Sequence, residues 1–151
     1  MKDPLFIQNR ISIRATREAV WNALVNPVWT KQYMYGCVPV TDWQPGSTLF
    51  WDGEYEGKPM RFVTGRLVEI IPGETLVYTV FDPNNPAIED IPENYLTVTY
   101  HLREHDGMTA FTVTQGDYNQ VADGEKRYHD AKAQGGWSAI LEAIKNLVEA
   151  T

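Results

Sequence analysis

Residues 135–150 read GGWSAILEAIKNLVEA. Counted from Trp137, the large apolar residues Ile140, Leu141, Ile144, Leu147 and Val148 fall at offsets 3, 4, 7, 10 and 11. That spacing is one stripe on a helix of 3.6 residues per turn. Glu142, Lys145, Asn146 and Glu149 occupy the other side. The stretch is therefore predicted to be an amphipathic C-terminal helix with a heavy aromatic at its N-terminal end. It needs a large apolar surface to lie on. The rest of the chain reads mostly as strands, and a curved sheet gripping this helix satisfies the requirement. The helix is allowed to begin as early as Gly124, which places Gly135 and Gly136 inside it. Each mid-helix glycine costs ~1 kcal/mol relative to alanine. A close approach to the sheet, or a kink over a cavity, would account for that cost.

Working back from this helix, residues 109–115 and 94–104 alternate as strands. Phe111 and Val113 share one face of the first; Val98, Tyr100 and Leu102 share one face of the second. His105-Asp106-Gly107-Met108 joins them, and Asp-Gly is a strong hairpin signal. Residues 74–81 place Leu76, Tyr78 and Val80 on one face. Residues 60–71 are long for one strand, and Gly65 within them predicts a bulge or a bend. Thr48–Tyr55 and residues 37–43 are further strands, joined by Gln44-Pro45-Gly46-Ser47, which suits a type II turn. Residues 5–13 open the sheet, with Ile7, Ile11 and Ile13 on one face and Asn9 interrupting them. Two short helices follow, Arg17–Val25 with Thr16 as N-cap and residues 28–33 after Pro27. Turns this short imply antiparallel neighbours. The expected architecture is α+β: an antiparallel sheet of six to seven strands around a C-terminal helix, with residues 1–151 forming a single domain.

Composition narrows the function classes. Of the 151 residues, 20 are Asp or Glu and 13 are Lys or Arg, a net charge of −7 that argues against a nucleic-acid or anionic membrane partner. No stretch approaches the ~20 apolar residues of a membrane span. The N-terminus, MKDPLFIQN, lacks a signal-peptide shape. One cysteine, Cys37, excludes an internal disulfide. These features predict a cytoplasmic protein. Five Trp and eight Tyr are a high aromatic load. Aromatics fill cores, and they also line pockets for apolar ligands.

The segments ISIRATREAVWNAL (residues 11–24), TDWQPGS (41–47), GRLVEIIPGETLVYTV (65–80), ENYLTVTYHL (93–102), GMTAFTVTQ (107–115) and GWSAILEAIKNLVE (136–149) carry a resemblance in their order and spacing. Together they resemble the activators of heat-shock protein 90 ATPase homologues. That family lies within the SRPBCC (START-like, helix-grip) superfamily. The resemblance implies a seven-stranded antiparallel sheet curled around a long C-terminal helix, with a cavity between them. Members are mostly small bacterial proteins. The superfamily mainly binds lipids, sterols, polyketides and other apolar molecules, and some branches are cyclases or hydrolases. The co-chaperone that names the family carries an additional N-terminal domain with its main chaperone contact. Nothing in this sequence corresponds to that domain, which counts against chaperone activation.

Three functions follow as expectations. The first is a non-enzymatic binding protein for a small hydrophobic ligand. Its cavity candidates are Tyr78, Tyr100, Phe111, Trp137 and Leu141, with Tyr33 and Phe62 as wall residues. The simpler reading of the same residues is core packing. The second is a co-chaperone-like module that meets a protein partner. The third is a cavity enzyme using an acid such as Glu54 or Glu69. No catalytic residue, cofactor or metal is predicted. His101 and His105 lie ~13 Å apart along a strand, too far to share a metal, and His129 sits among charged neighbours. The loop at residues 82–93 has Asp82, Asn84, Asn85, Glu89, Asp90 and Glu93 but not the spacing of a calcium loop; its length suits a lid or a rim. Ser47 and Ser138 lack a nucleophile-elbow context. Cys37 reads as a buried structural thiol, and Arg61, Arg66 and Arg103 as cross-strand partners of glutamates.

Overall fold

The computed structural model describes residues 3–151. Its elements are β1 (Ile7–Ile13), α1 (Arg17–Val25), α2 (Pro27–Tyr33), β2 (Val38–Thr41), β3 (Thr48–Tyr55), β4 (Lys58–Ile71), β5 (Thr75–Val80), β6 (Leu96–His105), β7 (Met108–Gly116), α3 (Gly124–Ala133) and α4 (Ser138–Glu149). The described strands form one seven-stranded sheet in the order β1-β7-β6-β5-β4-β3-β2, antiparallel at every pairing. This is the helix-grip architecture, with the sheet wrapped around the C-terminal helix. No described helix is long and apolar enough to cross a membrane.

Local chemistry explains the boundaries. The Thr16 hydroxyl accepts the Ala19 N–H at 3.2 Å and starts α1. Asn26 ends α1, and its side chain accepts the Val28 N–H at 3.0 Å to start α2, with Pro27 in the first turn. Asp106 and Gly107 both take positive φ, 51° and 77°, giving the two-residue hairpin between β6 and β7. One face of each central strand is buried: Leu76 and Tyr78, then Val98, Tyr100 and Leu102, then Phe111 and Val113. Leu141, Ile144 and Val148 of α4 complete that core.

β4 is the corner of the sheet. Its first part pairs with β3 from Lys58 to Arg66, and its second part pairs with β5 from Leu67 to Ile71. The expected irregularity is present, but the bulges fall at Phe62 and Val68, the two residues skipped by the registers, and not at Gly65. Gly65 serves the bend differently. A Cβ there would stand 1.7 Å from the Thr79 carbonyl oxygen, so the corner closes only without a side chain.

The C-terminal helix is not continuous from Gly124. α3 ends at Ala133, and Gly135 and Gly136 turn left-handed at φ 89° and 58°. The Gly136 N–H donates to the Ala131 carbonyl at 2.9 Å and the Gly135 N–H to the Lys132 carbonyl at 3.1 Å. This is a Schellman-type stop. Asn9, the polar residue on the inner face of β1, clamps it. Its Oδ1 accepts the Trp137 N–H at 2.9 Å, and its Nδ2 donates to the Ser138 hydroxyl at 3.1 Å. A Cβ at Gly136 would meet Asn9 Oδ1 at 2.6 Å and Ile7 Cγ2 at 2.7 Å, whereas at Gly135 nothing comes nearer than 3.7 Å. Gly135→Ala should therefore cost about 1 kcal/mol, from left-handed strain alone. Gly136→Ala should cost about 2–3 kcal/mol, because crowding against β1 adds to the strain. Urea unfolding of the two variants checks this; equal losses would mean that contact with β1 carries no weight.

Candidate functional site

A pocket of about 370 Å3 opens between the inner face of the sheet and the start of α4. The link from α2 to β2 contributes Met34, Tyr35 and Cys37; β3 contributes Trp51; β4 contributes Phe62 and Val63. Tyr78 and Val80 come from β5, Val98 from β6, Gln115 from β7, and Trp137 precedes α4. Consecutive residues of a regular strand point to opposite faces. Phe62 and Val63 both reach the pocket because the β4 bulge lies at Phe62. Tyr35, 81% exposed, stands at the rim.

Of the residues expected at a cavity, Phe62, Tyr78 and Trp137 line this pocket. Tyr33, Tyr100, Phe111 and Leu141 are buried in the core. Tyr100 joins the two groups: its ring meets those of Tyr78 at 5.4 Å, Phe111 at 5.4 Å and Trp137 at 5.9 Å, all edge to face. The Tyr33 hydroxyl donates to the Ala23 carbonyl at 2.7 Å, tying α2 to α1. The Tyr78 and Tyr100 hydroxyls share a 2.7 Å hydrogen bond. The indole N–H of Trp137 donates to Gln115 Oε1 at 2.8 Å.

Gln115 was readable by extending the Phe111, Val113 face two residues further. Trp51 needed the inward parity of Leu49. Met34 and Tyr35 lie in a helix-to-strand link that has no periodicity, so nothing in the sequence marked them; Cys37 is buried as expected but precedes β2 instead of starting it.

Among the described residues lining the pocket, none carries a charge. Burial pushes the Tyr78, Tyr100 and Tyr33 phenols above their ordinary values. Burial, with Asp52 nearby, likewise pushes the Cys37 thiol up. These groups stay protonated and neutral near pH 7, and Cys37 is a buried thiol rather than a thiolate nucleophile.

The other candidates lie elsewhere. Glu54 and Glu69 are exposed, so neither is a buried cavity acid. His105 and His129 are exposed, and His101 is half-buried beside Thr75. Arg61 does pair across strands, but with Asp52, at 2.9 Å and 3.1 Å, because the register sets Glu54 against Pro59. Arg66 donates to the Gly46 carbonyl at 2.9 Å, not to a glutamate, and Arg103 is exposed. Ser47 and Ser138 donate to the Gln44 and Gly135 carbonyls and stabilise turns. Among the described residues no cluster of His, Cys, Asp or Glu suits a metal.

A second space, of about 540 Å3, lies on the outer face of the sheet. Thr48, Thr64, Arg66, Thr79, Asp90 and Tyr95 give it a mixed polar wall. The loop at residues 82–93 is a rim of this outer groove through Asp90 and Pro92, and contributes nothing to the inner pocket. The Tyr95 hydroxyl donates to Asp90 at 2.6 Å and its ring stacks on Phe81 at 4.9 Å, which holds the loop down.

Comparison with known proteins gives a consistent picture. The family model described as Activator of Hsp90 ATPase homolog 1-like protein matches residues 14–149. The solution structure of ChR145 from Cytophaga hutchinsonii is similar at 33% identity and a TM-score of 0.76, covering 99% of this chain and 97% of that one. MLL2253 from Mesorhizobium loti has 20% identity and a TM-score of 0.72, covering 97% and 98%. The Aha1 dimer from Colwellia psychrerythraea has 18% identity and a TM-score of 0.68, covering 95% and 96%. These last two likenesses concern the fold alone. A search of the curated proteins finds no match.

Proposed function

Because the chain belongs to the Activator of Hsp90 ATPase homolog 1-like family, we propose that its inner pocket binds a small, mainly apolar molecule without transforming it. The observation that supports this most is an uncharged space of about 370 Å3 walled by Trp51, Phe62, Tyr78 and Trp137. Ligand sites commonly measure ~300–1,000 Å3 and combine an apolar wall with a few placed polar groups. This one sits at the small end, which favours a compact ligand over a long acyl chain. Binding is favoured over turnover by the state of the titratable groups at the wall. Tyr78 and Cys37 are both held protonated by burial, so neither is poised as a general base.

A thermal-shift screen of uncharged aromatic and lipid-like compounds tests the reading. A compound that binds only the folded state at one hundred times its Kd adds about 2.7 kcal/mol. The melting temperature should then rise by several degrees. Val80→Phe, which fills part of the pocket, should abolish that rise. A library that never moves the melting temperature, or moves it equally in the filled variant, removes the proposal.

A further inference from the structure

The inner pocket is apolar, yet it is not indifferent to polarity. Gln115 is the amide side chain on its wall, on the same face of β7 as Phe111 and Val113. Its neighbour is the Trp137 indole N–H, 2.8 Å from Oε1. An indole nitrogen can only donate, so the amide oxygen must face it. That fixes the flip of the amide and leaves the NH2 group as the free end. Among the described residues, no acceptor meets that Nε2. The pocket therefore presents two amide protons without a protein partner.

The tyrosine on the same wall offers no second donor. Tyr78 lines the pocket but is only 1% exposed, and its hydroxyl is engaged in the core by that of Tyr100, at 2.7 Å. Gln115 is therefore the side-chain donor that the wall presents.

From this donor we infer that the pocket selects an uncharged ligand carrying a hydrogen-bond acceptor oxygen of carbonyl type, with Gln115 as the residue that reads it. This rests on the binding proposal above and specifies its ligand class. An anionic ligand is disfavoured because no cation lines the wall to offset its desolvation. A pure hydrocarbon would leave the Gln115 amide unmatched. Trp137 acts as a positioning residue, because it sets which end of the amide faces the ligand.

Benzophenone and diphenylmethane are matched probes that differ at one carbonyl. Their Kd values are measured by titration into 15N-labelled protein, following the Gln115 side-chain NH2 and Trp137 indole signals. In the wild type benzophenone should shift the Gln115 NH2 signals. The ratio of the two affinities should then drop about tenfold in Gln115→Met, which keeps the volume and removes the donor. Gln115→Glu is the second variant. It keeps an acceptor for the indole and replaces the NH2 by a carboxylate oxygen, so it should weaken benzophenone at least tenfold while diphenylmethane changes little. If both probes bind with an affinity ratio that Gln115→Met leaves unchanged, the inference fails and the apolar pocket stands. If neither probe perturbs Trp51, Trp137 or Gln115, and no compound of the thermal-shift library does, the binding proposal fails and the inference with it.

Discussion

Gly65→Ala is expected to abolish folding or to lower stability by at least ~4 kcal/mol. Ordinary surface changes stay within ~0.5 kcal/mol, and losses above ~4 need a named mechanism. Here the mechanism is collision with main chain. The added Cβ would stand 1.7 Å from the Thr79 carbonyl oxygen and 2.6 Å from its carbon. A side chain in the way could rotate aside, but a carbonyl of β5 cannot move without its ladder. That carbonyl lies where β4 leaves β3 and joins β5, so relief must open the corner of the sheet. The control is Gly57→Ala. Gly57, unlike Gly65, turns left-handed, at φ 78°, but has nothing within 4 Å of its Cβ position, so it should lose only ~1–2 kcal/mol. Soluble yield and urea midpoints of both variants decide the point. Equal losses would show that the corner tolerates a methyl group.

Tyr100→Ala is the second large effect, at ~3–5 kcal/mol. Its ring is 2% exposed and is touched edge-on by Tyr78, Phe111 and Trp137. Truncation leaves a cavity that the sheet cannot collapse, since three of its strands meet there. Tyr100→Phe keeps the ring and removes only the hydroxyl that bonds Tyr78. That change should cost ~1–2 kcal/mol. The gap between the two variants, read by calorimetry or urea unfolding, separates packing from hydrogen bonding. A Tyr100→Phe loss as large as that of Tyr100→Ala would assign the site's stability to the hydroxyl pair.

Elements governed by local rules were visible in the chain before it was folded. The period-two burial of Leu76 and Tyr78, the Asp106-Gly107 hairpin and the Thr16 cap each depend on a few adjacent residues. What could not be read locally involves distant partners. Gly65 signalled an irregularity, but its reason is a carbonyl fourteen residues away in β5. The Gly135-Gly136 pair signalled a kink or an approach to the sheet. That it is a full helix stop depends on Asn9, across the sheet on β1. Inward parity identified Tyr78 and Tyr100 alike. Both are buried, but Trp51, Phe62 and Val63 leave space beside Tyr78, whereas Phe111 and Trp137 close on Tyr100. The loop at residues 82–93 advertised its length but not its side, because polar loops satisfy either face of a sheet equally well.

The stop between α3 and α4 has a consequence for how the chain can vary. In an unbroken helix each inserted residue rotates everything after it by about 100°. One insertion near Gly124 would then swing Leu141, Ile144 and Val148 off the core. The left-handed pair, pinned by Asn9, resets the phase at Trp137. The phase of α4 is thereby set by β1 and not by the length of α3. α3 answers to a partner of its own, with Tyr128 and Ala131 packed on Ile7, Leu96, Tyr118 and Val121, so the two halves of the C-terminal region keep separate registers.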